Sequence, residues 1–262
     1  MSEQFAVAGP LDVAIRLGSG RVEISRAEPG AATASVEPVD PDHEPSVRVA
    51  AGTRVHLSGS SLSIEALDGR AFRRAQVRIM LTLPAGSEVS VRAGLATVHV
   101  RDGLAALAVK LGTGDVDVDE VSGELTVKAG QADVVVGAAG SVSVATGRGL
   151  LRAQRVGDAA FRTGQGLVEL GRTEGRVHVK GGAVQLDVRE AGPGEVVLDT
   201  GSGGGRVGVV AGTTVQVDLT SGSGDVRCDL PLDQNGPTGG AGLRLRLRTG
   251  HGDLLVATAP TP

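Results

Sequence analysis

The stretch that decides the fold is Gly112–Val136, GTGDVDVDEVSGELTVKAGQADVVV, in which glycine-containing turns separate short runs of alternating apolar and polar residues. The unit Gly-x-(Gly/Ala)-x-apolar-x-apolar occurs twice in it, first at Gly112 and again at Gly130. Alternation with a period of two is typical of a strand with one buried face. Glycine adopts the positive φ angles of tight turns without a steric penalty. The stretch therefore predicts repeats of strand, turn, strand, turn, and we call each such repeat a coil.

The unit recurs along most of the chain. Full copies begin at Gly112, Gly130, Gly147, Gly164, Gly203, Gly222 and Gly250, weaker copies at Gly94 and Gly182, and an isolated early copy at Gly18. Between Gly94 and Gly182 the copies are almost evenly spaced. One coil cannot bury its own apolar face, so neighbours are expected to stack about 4.8 Å apart into two parallel sheets around one core. The predicted fold class is all-β, a β-solenoid (β-helix) with two short strands in each coil of about 17–18 residues.

Three regions are predicted along the chain. Residues 1–92 form a less regular β block that continues or caps the repeats, residues 93–256 form the solenoid, and residues 257–262 form a disordered tail. Within the block, alternating runs predict strands near Ala34–Glu37, Val47–Val49, Arg54–Leu57, Ser61–Ala66 and Gln76–Leu83. No segment shows a convincing helical period. The segment Asp229–Gly242 is predicted to be a flexible insertion.

Composition and charge argue against several classes of binding function. The chain has 262 residues with 41 Gly, three Phe and no Trp or Tyr, so the core must be built from Val, Leu, Ala and Ile. The formal net charge of -4 gives no general attraction to nucleic acid or to an anionic membrane. Without Trp and Tyr, the usual platforms for stacked bases and sugar rings are missing. The single cysteine, Cys228, falls at an inward position and is expected to be a small core residue.

The sequence also makes a prediction about location. Its N-terminal residues contain no basic segment followed by a long apolar one. No apolar run approaches the length that a membrane-spanning helix needs. The sequence therefore predicts no signal peptide, no membrane-spanning helix and a cytoplasmic protein.

Several segments together resemble a known family. LPAGSEV (Leu83–Val89) leads into the serial Gly-x-Gly-Asp-Val-x-Val units, and GTTVQVDLTSGSGDVRCDL (Gly212–Leu230) precedes a loop and a last unit, RLRTGHGDLLV (Arg246–Val256). In order and spacing they are similar to the bacterial "putative adhesin" β-strand-repeat family, a domain of unknown function, over essentially the whole chain. The resemblance implies a β-solenoid and carries no catalytic residues.

The repeats are predicted to hold no catalytic, cofactor or metal site. Asp115, Asp225 and Asp253 directly follow Gly-x-Gly, whereas calcium-binding β-rolls place the Asp two places after that motif and need several oxygen ligands for each ion. The glycine-rich stretch Gly201–Gly205 lacks the following helix that a dinucleotide-binding loop requires. The five histidines show neither zinc-ligand spacing nor a nucleophile nearby in sequence.

One pattern points to binding. The residue two places before each turn glycine is expected to face solvent, and these residues are Arg16, Arg92, Lys110, Lys128, Ala145, Arg162, Lys180 and Arg248. In the regular repeats, the predicted binding residues are Arg92, Lys110, Lys128, Arg162 and Lys180. They predict a basic column that suits an anionic polymer or an acidic partner. The alternative is a solvated face in which nearby acids, such as Asp115 and Asp133, neutralise the column.

Three functional hypotheses follow. The first is a non-enzymatic scaffold that mediates protein–protein contacts or self-assembly, because stacked flat sheets offer extended surface rather than a deep pocket. The second is adhesin-like binding of an anionic polymer or glycan through the basic column. The third is an enzyme with an unrecognised site in the N-terminal block or in Asp229–Gly242.

Overall fold

The structure, a computed structural model, describes residues 2–66, 75–230 and 242–260. The chain is all-β, with 78% of residues in strands, one helix among the described residues, and an open sheet. It divides into two compact units, Met1–Val134 and Val135–Pro262. The predicted boundary between residues 92 and 93 falls inside a strand, β7 (Ser87–Val100).

The elements of the first unit are β1 (Ser2–Ala6), β2 (Asp12–Arg26), β3 (Ala31–Pro38), α1 (Glu44–Gly52), β4 (Arg54–Ser58), β5 (Ser61–Glu65), β6 (Val77–Leu83) and β7 (Ser87–Val100). The long strand β8 (Leu104–Thr173) follows and includes residues of both units. The second unit continues with β9 (Arg176–Ala191), β10 (Gly194–Ser202), β11 (Gly205–Val209), β12 (Val215–Ser223), β13 (Val226–Asp229), β14 (Leu243–His251) and β15 (Leu254–Thr258).

In the first unit, coils stack in parallel and in register. β2 pairs with β7 from Asp12 opposite Glu88 to Ile24 opposite Val100, and β7 pairs with the start of β8. Their inward residues, such as Val91, are fully buried, because apolar side chains of successive coils meet on one face. The sequence suggested that the copy at Gly18 is isolated, but in the structure it is not. It stacks directly on the copy at Gly94, and residues 27–86 are inserted between the two along the chain.

The glycines at coil corners are required by close contact between backbones. Gly114 has a φ of 155°, and a Cβ built on it would overlap the carbonyl oxygen of Ala96 in the preceding coil. A side chain there would force the stacked coils apart.

β1 and the strands β3 to β6 extend the sheet at the edge of β2 that faces away from β7. β5 and β6 pair with β2 in parallel, β4 pairs with β5, β3 pairs with β6, and β1 pairs with β3, the last three pairings being antiparallel. These strands thus cover the edge of β2 that β7 leaves open.

The predicted strand at Val47–Val49 is wrong, because these residues lie in α1. Pro45 stands in the first turn of α1, where its missing N–H costs nothing, whereas in a strand it would remove a ladder hydrogen bond. Val49 and Ala50 are buried on one face of α1, and Thr53 Oγ1 donates a hydrogen bond to the carbonyl of Val49 at 2.8 Å. A short apolar run was read with a period of two where the helical period applies.

In the second unit, the order of the coils in space differs from their order in sequence. β9 pairs with β10 and β11, but the last pair of strands, β14 and β15, is inserted next. β12 pairs with β14, and β13 pairs with β15. The coil of β12 and β13 is therefore bordered on one side only by described strands. Its inward residues Val217 and Leu219 are only half-buried, whereas Leu245 and Leu247 of β14 are fully buried.

This insertion explains two further differences from the sequence prediction. Cys228 in β13 is exposed rather than in the core, because no described strand covers its free side. Ala257 and Thr258, assigned to the tail, are the last residues of β15 and pair with β11. The predicted flexible insertion Asp229–Gly242 lies mostly outside the described residues.

Among the described residues, no helix is long and apolar enough to cross a membrane.

Candidate binding site

A row of charged side chains crosses five neighbouring strands of the first unit. Arg54 on β4 is opposite Glu65 on β5, which is opposite Arg16 on β2. Arg16 is opposite Arg92 on β7, and Arg92 is opposite Lys110 on β8. Neighbouring strands lie about 4.8 Å apart, so the row is about 19 Å long.

The row has one further member. Ser122 Oγ donates to the carbonyl of Leu104 at 3.2 Å, and a Cβ on Gly130 would be 2.8 Å from the carbonyl oxygen of Gly112. Both contacts join equivalent positions of successive coils, and the same offset along the chain places Lys128 beside Lys110. We call Arg54, Arg16, Arg92, Lys110 and Lys128 the basic row.

The local sequence explains why these side chains point outward. In DVAIR (Asp12–Arg16) and EVSVR (Glu88–Arg92), the second and fourth residues are buried valine or isoleucine. Alternation therefore leaves the first and last residues, which are charged, on the exposed face. The stacking of equal positions then aligns the charges, because each position of a coil lies next to the same position of the next coil.

All members of the basic row except Lys128 line a groove with a volume of about 790 Å³. Arg16, Arg54, Arg92 and Lys110 contribute four cations, and Glu65 contributes one carboxylate. Glu65 Oε1 lies 3.5 Å from Arg16 Nη1. Among the described residues no carboxylate forms an ion pair with Arg92 or Lys110. The groove therefore presents uncompensated positive charge to solvent.

A second row lies on the same face, four positions before the basic row along each strand. It consists of Asp12, Glu88, Ala106 and Glu124, and we call it the acidic row. Asp12 is opposite Glu88, and Glu88 is opposite Ala106, while the offset of one coil places Glu124 beside Ala106. Along an extended strand the Cα atoms of the two rows are about 13 Å apart, and among the described residues no ion pair joins the rows.

The smaller groove lies in the acidic row. Its volume is about 150 Å³, and Glu88, Ala106 and Glu124 contribute to its lining. Ala106 has only a methyl group, so it leaves a notch between the two carboxylates. Between the acidic and basic rows stand the small side chains Ala14, Ser90, Ala108 and Thr126. We call the two rows and these small residues the polarised face.

In the second unit, two of the equivalent cations are paired with acids. Arg162 is opposite Lys180, and the two line a shallow depression with Thr146 and Thr163. Lys180 Nζ, however, lies 3.6 Å from Asp199 Oδ2 on the next strand.

The rest of the predicted column in the second unit follows the same pattern. Ala145 leaves a gap, and Arg248 Nη2 donates to Asp218 Oδ2 at 3.2 Å. Asp218 also lies 3.7 Å from Arg246 Nε. Of the predicted residues, Arg92, Lys110 and Lys128 thus belong to one row without ion pairs to described residues. Arg162 also has no ion pair with a described residue, whereas Lys180 is paired.

The sequence interpretation missed Arg54, Glu65 and the acidic row. Arg54 reaches the site only because β4 folds back antiparallel on β5, which no repeat signals. The acidic row did have a signal, because an acid precedes a base at the same spacing in DVAIR (Asp12–Arg16), EVSVR (Glu88–Arg92) and ELTVK (Glu124–Lys128).

The side chains considered for other chemistry have structural partners. Asp253 Oδ1 accepts a hydrogen bond from the N–H of Asp225 at 2.8 Å, so this turn carboxylate holds two coils together. His99 Nδ1 lies 3.3 Å from Asp117 Oδ2, but both side chains are about half exposed and line neither groove. Within the described ranges, no three His, Cys, Asp or Glu residues are placed to hold a metal ion.

The fold and the candidate site describe an all-β protein with one face on which acidic and basic side chains form separate rows. No family model matches the chain, and no curated protein matches it. Among solved structures, it is similar to a "putative adhesin" from Bacteroides fragilis, with 15% identity, a TM-score of 0.47 and coverage of 98% of this chain and 96% of the other.

Two structures from Parabacteroides distasonis are also similar. One is a "putative adhesin" with 10% identity, a TM-score of 0.35 and coverage of 97% and 96% of the two chains. The other is a "putative lipid binding protein" with 10% identity, a TM-score of 0.30 and coverage of 99% and 94%. We assign no residue a role from these likenesses.

Proposed function

We propose that this chain is a non-enzymatic interaction protein, a β-solenoid scaffold that binds a partner through the polarised face of its first unit. The observation that carries the proposal is the separation of acidic and basic side chains into two rows on one flat surface. The solenoid part is supported within each unit by parallel, in-register pairs about one coil apart, such as Val91 with Val109 and Phe161 with Val179.

The basic row works against folding stability. Like charges directly opposite each other on neighbouring strands are destabilising, and Arg16, Arg92 and Lys110 are opposed in this way. The acids that could relieve the repulsion stand about 13 Å away in the acidic row. A surface that is only solvated has no need of this arrangement, whereas a surface that meets a partner of complementary charge gains from it.

The grooves support binding rather than catalysis. Both lie open on a sheet surface and lack a histidine, cysteine or metal-ligand cluster in their described linings. In this proposal the chain acts in the cytoplasm, where a single exposed thiol such as Cys228 stays reduced.

The test is retention of proteins on the immobilised full chain from an extract of the source cells, followed by mass spectrometry. Arg92→Glu with Lys110→Glu should reduce the retained proteins about tenfold, because two favourable contacts become repulsive. The matched control reverses two exposed arginines of the second unit, Arg155→Glu with Arg189→Glu, and should retain the same proteins as the wild type. Equal retention by all three chains would contradict the proposal.

A second candidate is binding of an anionic polymer along the basic row. The large groove with four cations favours it, because successive cations about 5 Å apart can follow a chain of anionic groups. The acidic row should then be dispensable, which distinguishes this candidate from binding of a charge-sorted protein surface.

A further inference from the structure

We propose that the partner of the polarised face is the same face of a second copy of this chain, related by a two-fold axis that lies along the small residues. This inference rests on the proposed function and names its partner. It follows from the order of charges on the face, because the two rows are complementary to each other.

Two orientations of a symmetric face-to-face pair are possible, and the charges select one. A two-fold axis parallel to the strands would place acidic row on acidic row and basic row on basic row. The other axis lies in the plane of the interface and runs perpendicular to the strands, along the rows. With this axis, the strands of the two copies run in opposite directions, and each strand faces the same strand of the other copy. This axis places Arg92 of one copy opposite Glu88 of the other, and Lys128 opposite Glu124.

The notch at Ala106 adds shape complementarity to the charge complementarity of the two faces. In the selected orientation, Lys110 of one copy is opposite Ala106 of the other. The smaller groove there has carboxylates on both sides, Glu88 and Glu124, and a volume of about 150 Å³. A lysine side chain entering it would meet two acids, and the long side chain would fill the only gap in the acidic row of these four strands.

The small residues allow the two faces to approach. Ala14, Ser90, Ala108 and Thr126 lie on the proposed axis, so each would meet its own equivalent in the second copy. Four strands about 4.8 Å apart and about 20 Å of width give roughly 400 Å² per copy, about half of a standard interface. The pair should therefore be weak, salt-sensitive and in exchange, with half-dissociation at about 100 µM.

The first experiment measures the mass of the full chain by sedimentation equilibrium at about 100 µM. In about 10 mM salt, where charges act over about 30 Å, the wild type should contain dimers, and in about 1 M salt it should be monomeric. Arg92→Glu with Lys128→Glu should be monomeric, and so should Glu88→Lys with Glu124→Lys. An equimolar mixture of these two variants should again form dimers, because each substituted residue of one variant then meets an opposite charge on the other.

The chain carrying all four substitutions guards against misfolding. Each of its four substituted positions again meets an opposite charge, so dimers should return, although weaker than those of the wild type, because Lys110 then enters a notch between two cations. Ala106→Leu adds no charge and fills the notch, so it should weaken the dimer about tenfold, whereas Ser143→Leu at an outward position of the second unit should not. A wild type that stays monomeric in low salt, or a mixture that stays monomeric, would overturn the pairing.

The second experiment tests the axis. In a Cys228→Ser background, Ala108→Cys should give a disulfide-linked dimer under mild oxidation, because each thiol meets its own equivalent. Thr97→Cys should stay monomeric, because Thr97 lies in β7 beyond the corner at Gly94 and therefore outside the polarised face. Equal cross-linking of both would overturn the proposed axis.

The outcomes separate this inference from the proposed function. A monomeric wild type that still loses retained proteins on Arg92→Glu with Lys110→Glu would refute the self-pairing and leave the proposed function standing. Binding of polyphosphate that depends on the basic row alone, with no dimer, would refute the self-pairing and favour the anionic polymer.

Discussion

The two units contain the same kind of coil but arrange their outward charges differently. In the first unit, Arg92 and Lys110 face each other across neighbouring strands, and no described carboxylate pairs with either. In the second unit, Lys180 is paired with Asp199 and Arg248 with Asp218. The fold does not impose either arrangement, so the first unit's charged face reflects the choice of residue at a few outward positions.

The stacking of coils amplifies that choice. Because equal positions of successive coils are neighbours, a residue type repeated once in every coil becomes a row rather than a scattered set of charges. A single acid on one strand, such as Asp199, is enough to interrupt the row and to neutralise its neighbours. We therefore expect the first unit to bind charged partners and the second to do so weakly.

The largest expected difference is in binding of an anionic polymer. Replacing three cations of the first unit, Arg54→Gln, Arg92→Gln and Lys110→Gln, should weaken binding of short inorganic polyphosphate about 30-fold, since each surface contact contributes under about 1 kcal/mol. The measurement is isothermal titration calorimetry in low salt.

The matched control removes three cations of the second unit, Arg162→Gln, Lys180→Gln and Arg248→Gln. It should weaken the same binding only about threefold, because acids already neutralise two of these residues. Equal losses in the two triple variants would mean that net charge, and not its arrangement, determines binding.

A smaller effect should come from removing the neutralising acids. Asp199→Asn leaves Lys180 without its carboxylate and should raise polyphosphate affinity about threefold. Glu65→Gln should do the same for Arg16 in the first unit. Asp158→Asn, which removes an acid of the same strand as Arg162, serves as the charge-matched control and should have less effect. If all three variants gain polyphosphate affinity equally, the gain comes from the change in net charge and not from freeing a neighbouring cation.

Much of the fold could be predicted from the sequence, because its signals are local and repeated. The glycine spacing and the alternation in Val116-Asp117-Val118 correctly indicate strands, corners and the inward direction of the valines. The parallel, in-register pairing of β7 with β8 follows from the same repeat.

What the sequence could not show depends on contacts between distant segments. Nothing near Leu243 indicates that β14 pairs with β10 and separates it from β12, because the same repeat unit fits either place in the stack. The exposure of Cys228 follows from that order and was missed with it. The helix α1 has a weak signal in the sequence, because its apolar run is short and Pro45 in its first turn also suits a loop.

The candidate site was predictable to the extent that it follows the repeat. Arg92 and Lys110 come from equivalent positions of consecutive coils and are opposite each other, and the same offset along the chain puts Lys128 next to them. Arg54 joins them through the antiparallel pairing of β4 with β5, which has no equivalent elsewhere in the described repeats. The neutralisation of Lys180 depends on Asp199, an acid at a position where the neighbouring strands β9 and β14 carry a base.

The smallest expected effect is on stability, and it should have opposite signs in the two units. Arg92→Gln relieves repulsion from Arg16 and Lys110 and should stabilise the fold by about 0.5 kcal/mol. Arg248→Gln removes the ion pair with Asp218 at a position with no like charge directly opposite, and should destabilise the fold by about 0.3 kcal/mol. Thermal unfolding in low salt should show shifts of about 1–2 °C in opposite directions. High salt should shrink both shifts, because it screens repulsion and attraction alike. If both variants shift the melting temperature in the same direction, the two units do not differ in the balance of their surface charges, and the basic row would lose its distinction from an ordinary solvated face.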